Sequence, residues 1–367
     1  MSQADFFPSR TISLYMVRLF LVRTLAILAG LVMILQTLDL LSETGDILAV
    51  AGNGQSEIWR YIGLRTPQII AQFLPFSVLL GTIITLSTLN QNSEVIAMKS
   101  AGLSAHQVLA PLLIASLGVA IVSFTFNERV VARATATLDQ WQDVEYGPLP
   151  IDRGDRSNVW VRDNGDLIHV RQIADAIGGG TPRLSGVEIY DREEGKLEAI
   201  LSGPRALRAS HGWILLDAKR FDAATGETRN IGPVRFGDGV TLEQFTLANV
   251  NAEGLTFAEL NGAINDLEAA GRPGEALKGS LWHKLSGPLS SVLMPLLGAV
   301  AAFGIARSGK LFIRAVIGMA LGFAYFVADN FALAMGNLGA YPPFLAAWAP
   351  FLLFLLIGEA VLFRTEE

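Results

Sequence analysis

Six stretches of mostly apolar residues punctuate the chain, and a long polar interval separates the third from the fourth. A helix rises about 1.5 Å per residue, so ~20 such residues cross the ~30 Å hydrocarbon layer of a bilayer. The first run extends from about Leu14 to Leu38, with Arg18 and Arg23 near its start and Asp39 at its end. Long cationic side chains near a helix end reach the headgroups, so both arginines are compatible with a span. No small-residue cleavage site follows, and the run reads as an anchor. The second, Thr66 to Leu89, carries no charge. The third covers Gln107 to Phe126, the fourth Leu285 to Ala306, the fifth Leu311 to Met335 and the sixth Phe344 to Phe363.

Between the third and fourth runs, from about Asn127 to Gly279, the period changes. Short stretches such as Asn158–Arg162, Leu167–Arg171, Val187–Tyr190 and Trp213–Leu216 alternate apolar and polar positions. They are separated by turn pairs, Asn164-Gly165, His211-Gly212 and Thr225-Gly226. A period of two broken by such pairs predicts antiparallel strands, eight to ten short ones by roughly that spacing, in a sandwich or jelly roll. Thr256 to Ala270 reads as an amphipathic helix closed by Gly271 and Pro273. The expected architecture is an α-helical membrane protein of six transmembrane helices with an inserted all-β, jellyroll-like domain. Helices one to three occupy residues 1–126, the β-domain with its following helix 127–279, and helices four to six 280–367.

Composition agrees. Hydrophobic residues make up 51% of the chain and charged residues 17%, below the ~25% of soluble domains. The formal charge of −6 gives no basic face for nucleic acid, and the absence of cysteine excludes disulfides and thiolate metal sites. Lysines and arginines of the short loops fall mainly on one side: Arg10, Arg18, Arg23, Lys99, Arg307, Lys310, Arg314 and Arg364, against Arg60 and Arg65. That asymmetry puts both termini in the cytoplasm and the β-domain outside.

Catalytic chemistry is hard to find. Gly304 to Leu311 has the glycine and lysine spacing of a phosphate-binding loop, but Leu311 replaces the Ser/Thr that would hold Mg²⁺. A spanning helix precedes it, where the motif requires a strand. His106, His169, His211 and His283 show no metalloprotease spacing and no neighbouring acid in sequence. No catalytic residue and no metal site is read, and the chain is read as a non-enzyme.

Two other features draw interest. The connector between helices two and three, about residues 93–102, reads as helix, stop, helix. Ser93 is placed as N-cap with Glu94 in the first turn, Gly102 is a C′ stop, and Ser104 to Gln107 forms a capping box. Such a segment is either a docking element for a cytoplasmic partner or a helix lying along the headgroups. Asp329 and Glu359 fall inside apolar runs, where ionisable groups are functional candidates. At about 1.5 Å per residue, Asp329 lies roughly 27 Å along its helix, near the outer interface, and reaching water is the competing reading.

Several strings resemble the LptF/LptG family of lipopolysaccharide-export permeases. They are Ser93-Glu94 with Met98 and Ala101-Gly102; Leu255 to Leu260; Trp282-His283-Lys284 through Pro288; and Gly322 to Asp329 with Gly339 to Pro343. The last pair is more similar to the LptG than to the LptF branch. The resemblance spans nearly the whole chain. It implies a permease half of an ATP-driven exporter in the bacterial inner membrane, with a periplasmic jellyroll. The implied partners are an LptF-like permease, two copies of an LptB-like ATPase and an LptC-like periplasmic protein. The implied substrate is lipopolysaccharide. No cofactor belongs to this chain; ATP and Mg would be bound by the ATPase. Ser93, Glu94, Met98 and Gly102 become the coupling helix, with Glu94 facing a cation on the ATPase.

One departure concerns the substrate path. Better-known members carry lysines in and after the outer half of helix one, whereas this chain has Gln36, Asp39 and Glu43 there. Arg129 and Arg133 are candidate replacements, or ordinary surface residues. Helices one and five would form the lateral gate, with Phe323, Phe326, Asp329 and Phe331 on the path. In the β-domain an apolar groove would draw on Trp160, Ile168, Val170, Ile189, Ile214 and Leu216.

Overall fold

A computed structural model describes residues 8–148, 156–163, 166–174, 183–193, 196–209, 212–223, 225–238, 240, 251–269, 274–304 and 311–366. Among them, six helices are long and apolar enough to cross a membrane. They contain α1 (Arg10–Ala49), α2 (Gln55–Gln91), α4 (Ala105–Phe126), α7 (Glu275–Ala299), α8 (Leu311–Asn337) and α9 (Pro343–Glu366). The short α3 (Glu94–Ser100) joins α2 to α4, α5 (Ala132–Asp143) extends α4, and α6 (Phe257–Ala269) precedes α7. The chain divides into two compact units. One comprises Met1–Gly147, Ala252–Asn261 and Gly274–Glu367; the other comprises Pro148–Asn251 and Gly262–Pro273.

The helical unit is organised around α2, which has α1, α4, α5, α7 and α8 among its neighbours. Its core gathers Met16 and Phe20 of α1, Leu79 and Ile83 of α2, Leu109 of α4 and Leu296 of α7. Between lipid-facing helices apolar burial drives little, because acyl chains solvate leucine as well as another helix does. Close backbone approach must do the holding. A Cβ built on Gly81 would come within 2.3 Å of Thr24 Oγ1 and 3.1 Å of the Thr24 backbone, so α1 lies directly on α2 there. Beside this contact Arg23 does not reach for the headgroups; its guanidinium donates to the Ile84 carbonyl at 2.8 Å.

Two boundaries differ from the sequence expectation. Helix α1 runs to Ala49, well beyond Leu38, because its outer turns are polar on one side only. The third helix does not end at Phe126 either. A π-helical stretch (Asn127–Val131) carries it into α5, which runs to Asp143, and the first strand begins at Arg156. The expected start of the β-domain at Asn127 is therefore helical. The cause is a change of face rather than of structure: Ala134, Thr135, Leu138 and Trp141 are buried at helical spacing while the rest turns polar.

The β unit is a six-stranded antiparallel sheet in which sequence neighbours pair in order. The strands are β1 (Arg156–Asp163), β2 (Asp166–Ala174), β3 (Arg183–Glu193), β4 (Lys196–Arg208), β5 (Trp213–Asp222) and β6 (Thr228–Phe236). Among the described residues these six are longer than the short strands expected. Residues 241–250 lie outside the described residues, so the comparison covers the meander alone. One face forms the core: Ile168 pairs with Ile189 and Val170 with Val187, and all four are buried with Trp213 and Leu215. In β5 the register shifts between Leu215 and Ala218, where Asp217 takes a left-handed φ of 51°. This bulge returns Ala218 to the buried face out of alternating phase.

The contact at Gly81 yields a test. Gly81→Ala forces α1 off α2, and overpacking of this kind costs about 1–3 kcal/mol. The thermal unfolding midpoint in detergent should fall, while the same change at Gly30, which has open space around its Cβ position, should leave it unchanged.

Candidate functional site

The connector after α2 folds as a self-contained device. Val95 and Met98 are buried in the bundle core, while Ile96 is 61% exposed and Ala97, Lys99 and Ser100 face outward beside it. The stop is a Schellman turn: Leu103 N–H donates to the Met98 carbonyl at 3.2 Å and Gly102 N–H to that of Lys99 at 3.0 Å, with Gly102 at φ 92°. The capping box expected at Ser104 and Gln107 is present. Ser93 departs from expectation. It occupies the N-cap position in a left-handed conformation (φ 61°), and its hydroxyl caps nothing. Glu94 accepts instead from Asn92 Nδ2 at 3.1 Å and from the Tyr15 hydroxyl of α1 at 3.4 Å. The connector is thus anchored by two apolar side chains and offers an apolar residue flanked by a cation outward.

At its other end α1 is tied down by its acids. Asp39 accepts from the Tyr61 hydroxyl at 2.6 Å and forms an ion pair with Arg65 at 3.1 Å. One turn later Glu43 accepts from the Tyr146 hydroxyl. Burial and Glu43 together push that phenol up to about 12. Trp141 stands edge-on to Tyr146 and beneath the Arg60 guanidinium. Gln36 is buried and accepts from Thr66. Gln36, Asp39 and Glu43 therefore bind α1 to α2 and to the end of α5.

Within the helical unit lies a cavity of about 570 Å³ whose wall mixes charges with aromatic rings. From α2 come Arg65 and Phe76, from α7 His283 and Lys284, from α8 Tyr325 and Asp329. Arg65 also donates to Gln68 at 2.6 Å. The half-buried Lys284 ammonium faces the carboxylates of Glu128, Glu253 and Glu259. Glu128 in turn accepts from the first N–H of α6, Phe257, at 2.8 Å. Glu259 closes a capping box with Thr256, whose N–H and hydroxyl hold that carboxylate below its usual range; Arg133 and Lys284 add to the effect. The chain thus re-enters the bundle at a fixed point beside the cavity.

Three histidines read as lacking acids acquire them in three dimensions. His106 lies 3.2 Å from Glu359, His169 3.6 Å from Glu188, and His283 3.8 Å from Asp329. Each partner is remote in sequence except Glu188, which is the cross-strand neighbour of His169. Asp329 is 7% exposed and faces the cavity. Phe326 lies tilted against Phe76, ring centres 5.7 Å apart, on the cavity wall, whereas Phe323 and Phe331 are exposed on the outer surface of α8. Arg129 and Arg133 are exposed on the α4–α5 helix. Of the β-domain candidates, Ile168, Val170 and Ile189 share the buried face, while Ile214 and Leu216 alternate with the buried Trp213 and Leu215. The Trp160 side chain lies outside the described residues, as does the phosphate-loop-like segment beyond Gly304. Sequence reading missed Arg65, Lys284, His283 and Tyr325 as a group, since they sit on three helices and share no spacing.

The profile of a family described as lipopolysaccharide export system permease LptF/LptG matches residues 14–364. The lipopolysaccharide export system permease protein LptG of Escherichia coli K12 is 23% identical over 331 residues, covering 87% of this chain and 89% of that protein. The protein of the same name from Haemophilus influenzae is 23% identical over 328 residues, covering 86% and 89%.

The tie at Asp39 is testable. Asp39→Asn removes the counter-charge of Arg65, a partly buried pair, and should cost about 1–3 kcal/mol. Adding Arg65→Gln should recover part of that loss. A double-mutant cycle on thermal unfolding that showed no coupling would remove this contact from the account.

Proposed function

Because the chain belongs to the LptF/LptG family of lipopolysaccharide export permeases, we propose that it is the LptG-type half of an ATP-driven exporter that lifts lipopolysaccharide from the outer leaflet of the inner membrane. It is a multi-pass inner-membrane permease subunit with six spanning helices and an inserted β-domain. The observation that carries the reading is the family match across residues 14–364 together with that architecture. In the proposed arrangement both termini lie in the cytoplasm and the β-domain in the periplasm, as the lysine and arginine asymmetry requires. The partners are an LptF-like permease, two ATPase subunits and a periplasmic LptC-like protein.

Nucleotide chemistry is assigned to the ATPase, which binds ATP and Mg. The helical context before Gly304 supports this, since a phosphate-binding loop follows a strand. Energy enters through α3. Its inner face is locked by Val95 and Met98, so a push on Ile96 moves the ends of α2 and α4 with it. Through Tyr15 and Glu94 the same push reaches α1.

Lipid is taken up along α1 and α8, whose outward faces carry Leu25, Met33 and Leu41, and Phe323 and Phe331. The headgroup is received at the cavity. Where relatives use lysines of helix one, this chain supplies Arg65 and Lys284 from α2 and α7. From there acyl chains pass along the apolar face of the β-domain.

Two measurements test this reading. Ile96→Glu alters only an exposed side chain and should leave the permease folded. Replacing an apolar anchor worth about 1.5–3 kcal/mol by a charge should reduce co-purified ATPase by at least about tenfold. Full ATPase recovery would place docking elsewhere. Lys284→Gln, in the co-expressed complex, should lower co-purified lipopolysaccharide by about tenfold, the worth of one charge-assisted contact. Unchanged lipid would remove the cavity from the headgroup path.

A further inference from the structure

The cavity has one edge that its own residues leave unsatisfied. Asp329 and Tyr325 are one helical turn apart on α8, are 7% and 4% exposed, and both line the cavity. Neither Asp329 Oδ1 nor the Tyr325 hydroxyl has a hydrogen-bond partner among the described residues. The remaining carboxylate oxygen, Oδ2, sits 3.8 Å from His283 Nε2, beyond hydrogen-bond reach. His283 is itself engaged through Nδ1 with the Ser286 hydroxyl at 3.4 Å. The other cations of the wall do not pair with Asp329: Arg65 lies beside Asp39 and Gln68, and Lys284 sits in the field of Glu128, Glu253 and Glu259. A buried carboxylate oxygen and a buried hydroxyl left open in a roomy polar cavity call for a donor from outside, and a cationic donor satisfies both.

We propose that Asp329 and Tyr325 form an acceptor site for a primary ammonium group on the lipid headgroup, which makes Asp329 a specificity-determining residue of the exporter. The cavity then reads both signs of charge. Arg65 and Lys284 face the anionic groups, and the α8 edge selects a headgroup that also carries an amine. Metal occupancy is the weaker fit, since no cluster of three or more histidine or acidic side chains among the described residues is arranged to hold a metal ion. This inference rests on the cavity being the headgroup site.

The test uses the complete complex in lipid nanodiscs with two lipopolysaccharide preparations, differing only in ethanolamine on the lipid A phosphates. Bound lipid is quantified by mass spectrometry from an equimolar mixture. Wild type should retain the amine-bearing form in about tenfold excess, the worth of one charge-assisted hydrogen bond. Asp329→Asn, which keeps the shape of the side chain, should bring the ratio near one by loss of the amine-bearing form alone. Tyr325→Phe should reduce the ratio part way. Equal retention by wild type, an undiminished preference in Asp329→Asn, or an equal loss of both forms in that variant would each overturn the proposal. Failure of the headgroup reading itself is seen separately, as total lipid that does not respond to Lys284→Gln.

Discussion

Helices in hydrocarbon have no solvent to flee, so what holds this bundle is contact that lipid cannot imitate: backbone against backbone, and polar group against polar group. The approach of Gly81 to Thr24 brings α1 onto α2, and Gly322 of α8 makes room for the Leu79 side chain of the same helix. Where the chain carries charge into the span, the charge is used for holding. Arg23 caps the Ile84 carbonyl, and Asp39 meets Arg65 and Tyr61. Helix α2 receives all of these, while α9 packs on α7 and α8.

That arrangement leaves apolar faces uncovered. With the inner side of α1 committed to α2, its outer side presents Leu25, Met33 and Leu41 to whatever lies beside it in the membrane. Helix α8 does the same with Phe323 and Phe331 while turning Tyr325, Phe326 and Asp329 inward. One helix thus offers aromatic rings to lipid and polar atoms to a cavity, through nothing more than its 3.6-residue period. The α3 connector follows the same logic on a smaller scale: two side chains bury, the next turns out, and a glycine ends the helix.

Charge within the helical unit has two placements. The acids at positions 39 and 43 serve the fold, binding two tyrosines and an arginine. Cations face the cavity from α2 and α7 instead. The cavity wall thus mixes both signs of charge, while α1 keeps a polar tie at its outer end.

Much of the architecture was legible without coordinates, because its causes are local. Runs of apolar residues long enough for hydrocarbon mark the spans, period-two stretches mark strands, and Gly102 and the Ser104–Gln107 pair mark a stop and a start. Each depends on residues within one turn or one hairpin. Where local chemistry changed without a change of structure, sequence reading failed: the polar residues after Phe126 stay helical, and Ser93 sits in a left-handed cap that its hydroxyl does not serve. Pairings over distance were beyond it altogether. His106 with Glu359, His283 with Asp329, and Asp39 with Arg65 are brought together by helix packing, and no spacing along the chain records which face of one helix meets which face of another. By itself the sequence determined a six-span permease with an inserted β-domain. Only the tertiary structure decided which of its charges hold the bundle together and which look into the cavity, because that depends on the rotation and close approach of helices far apart in the chain.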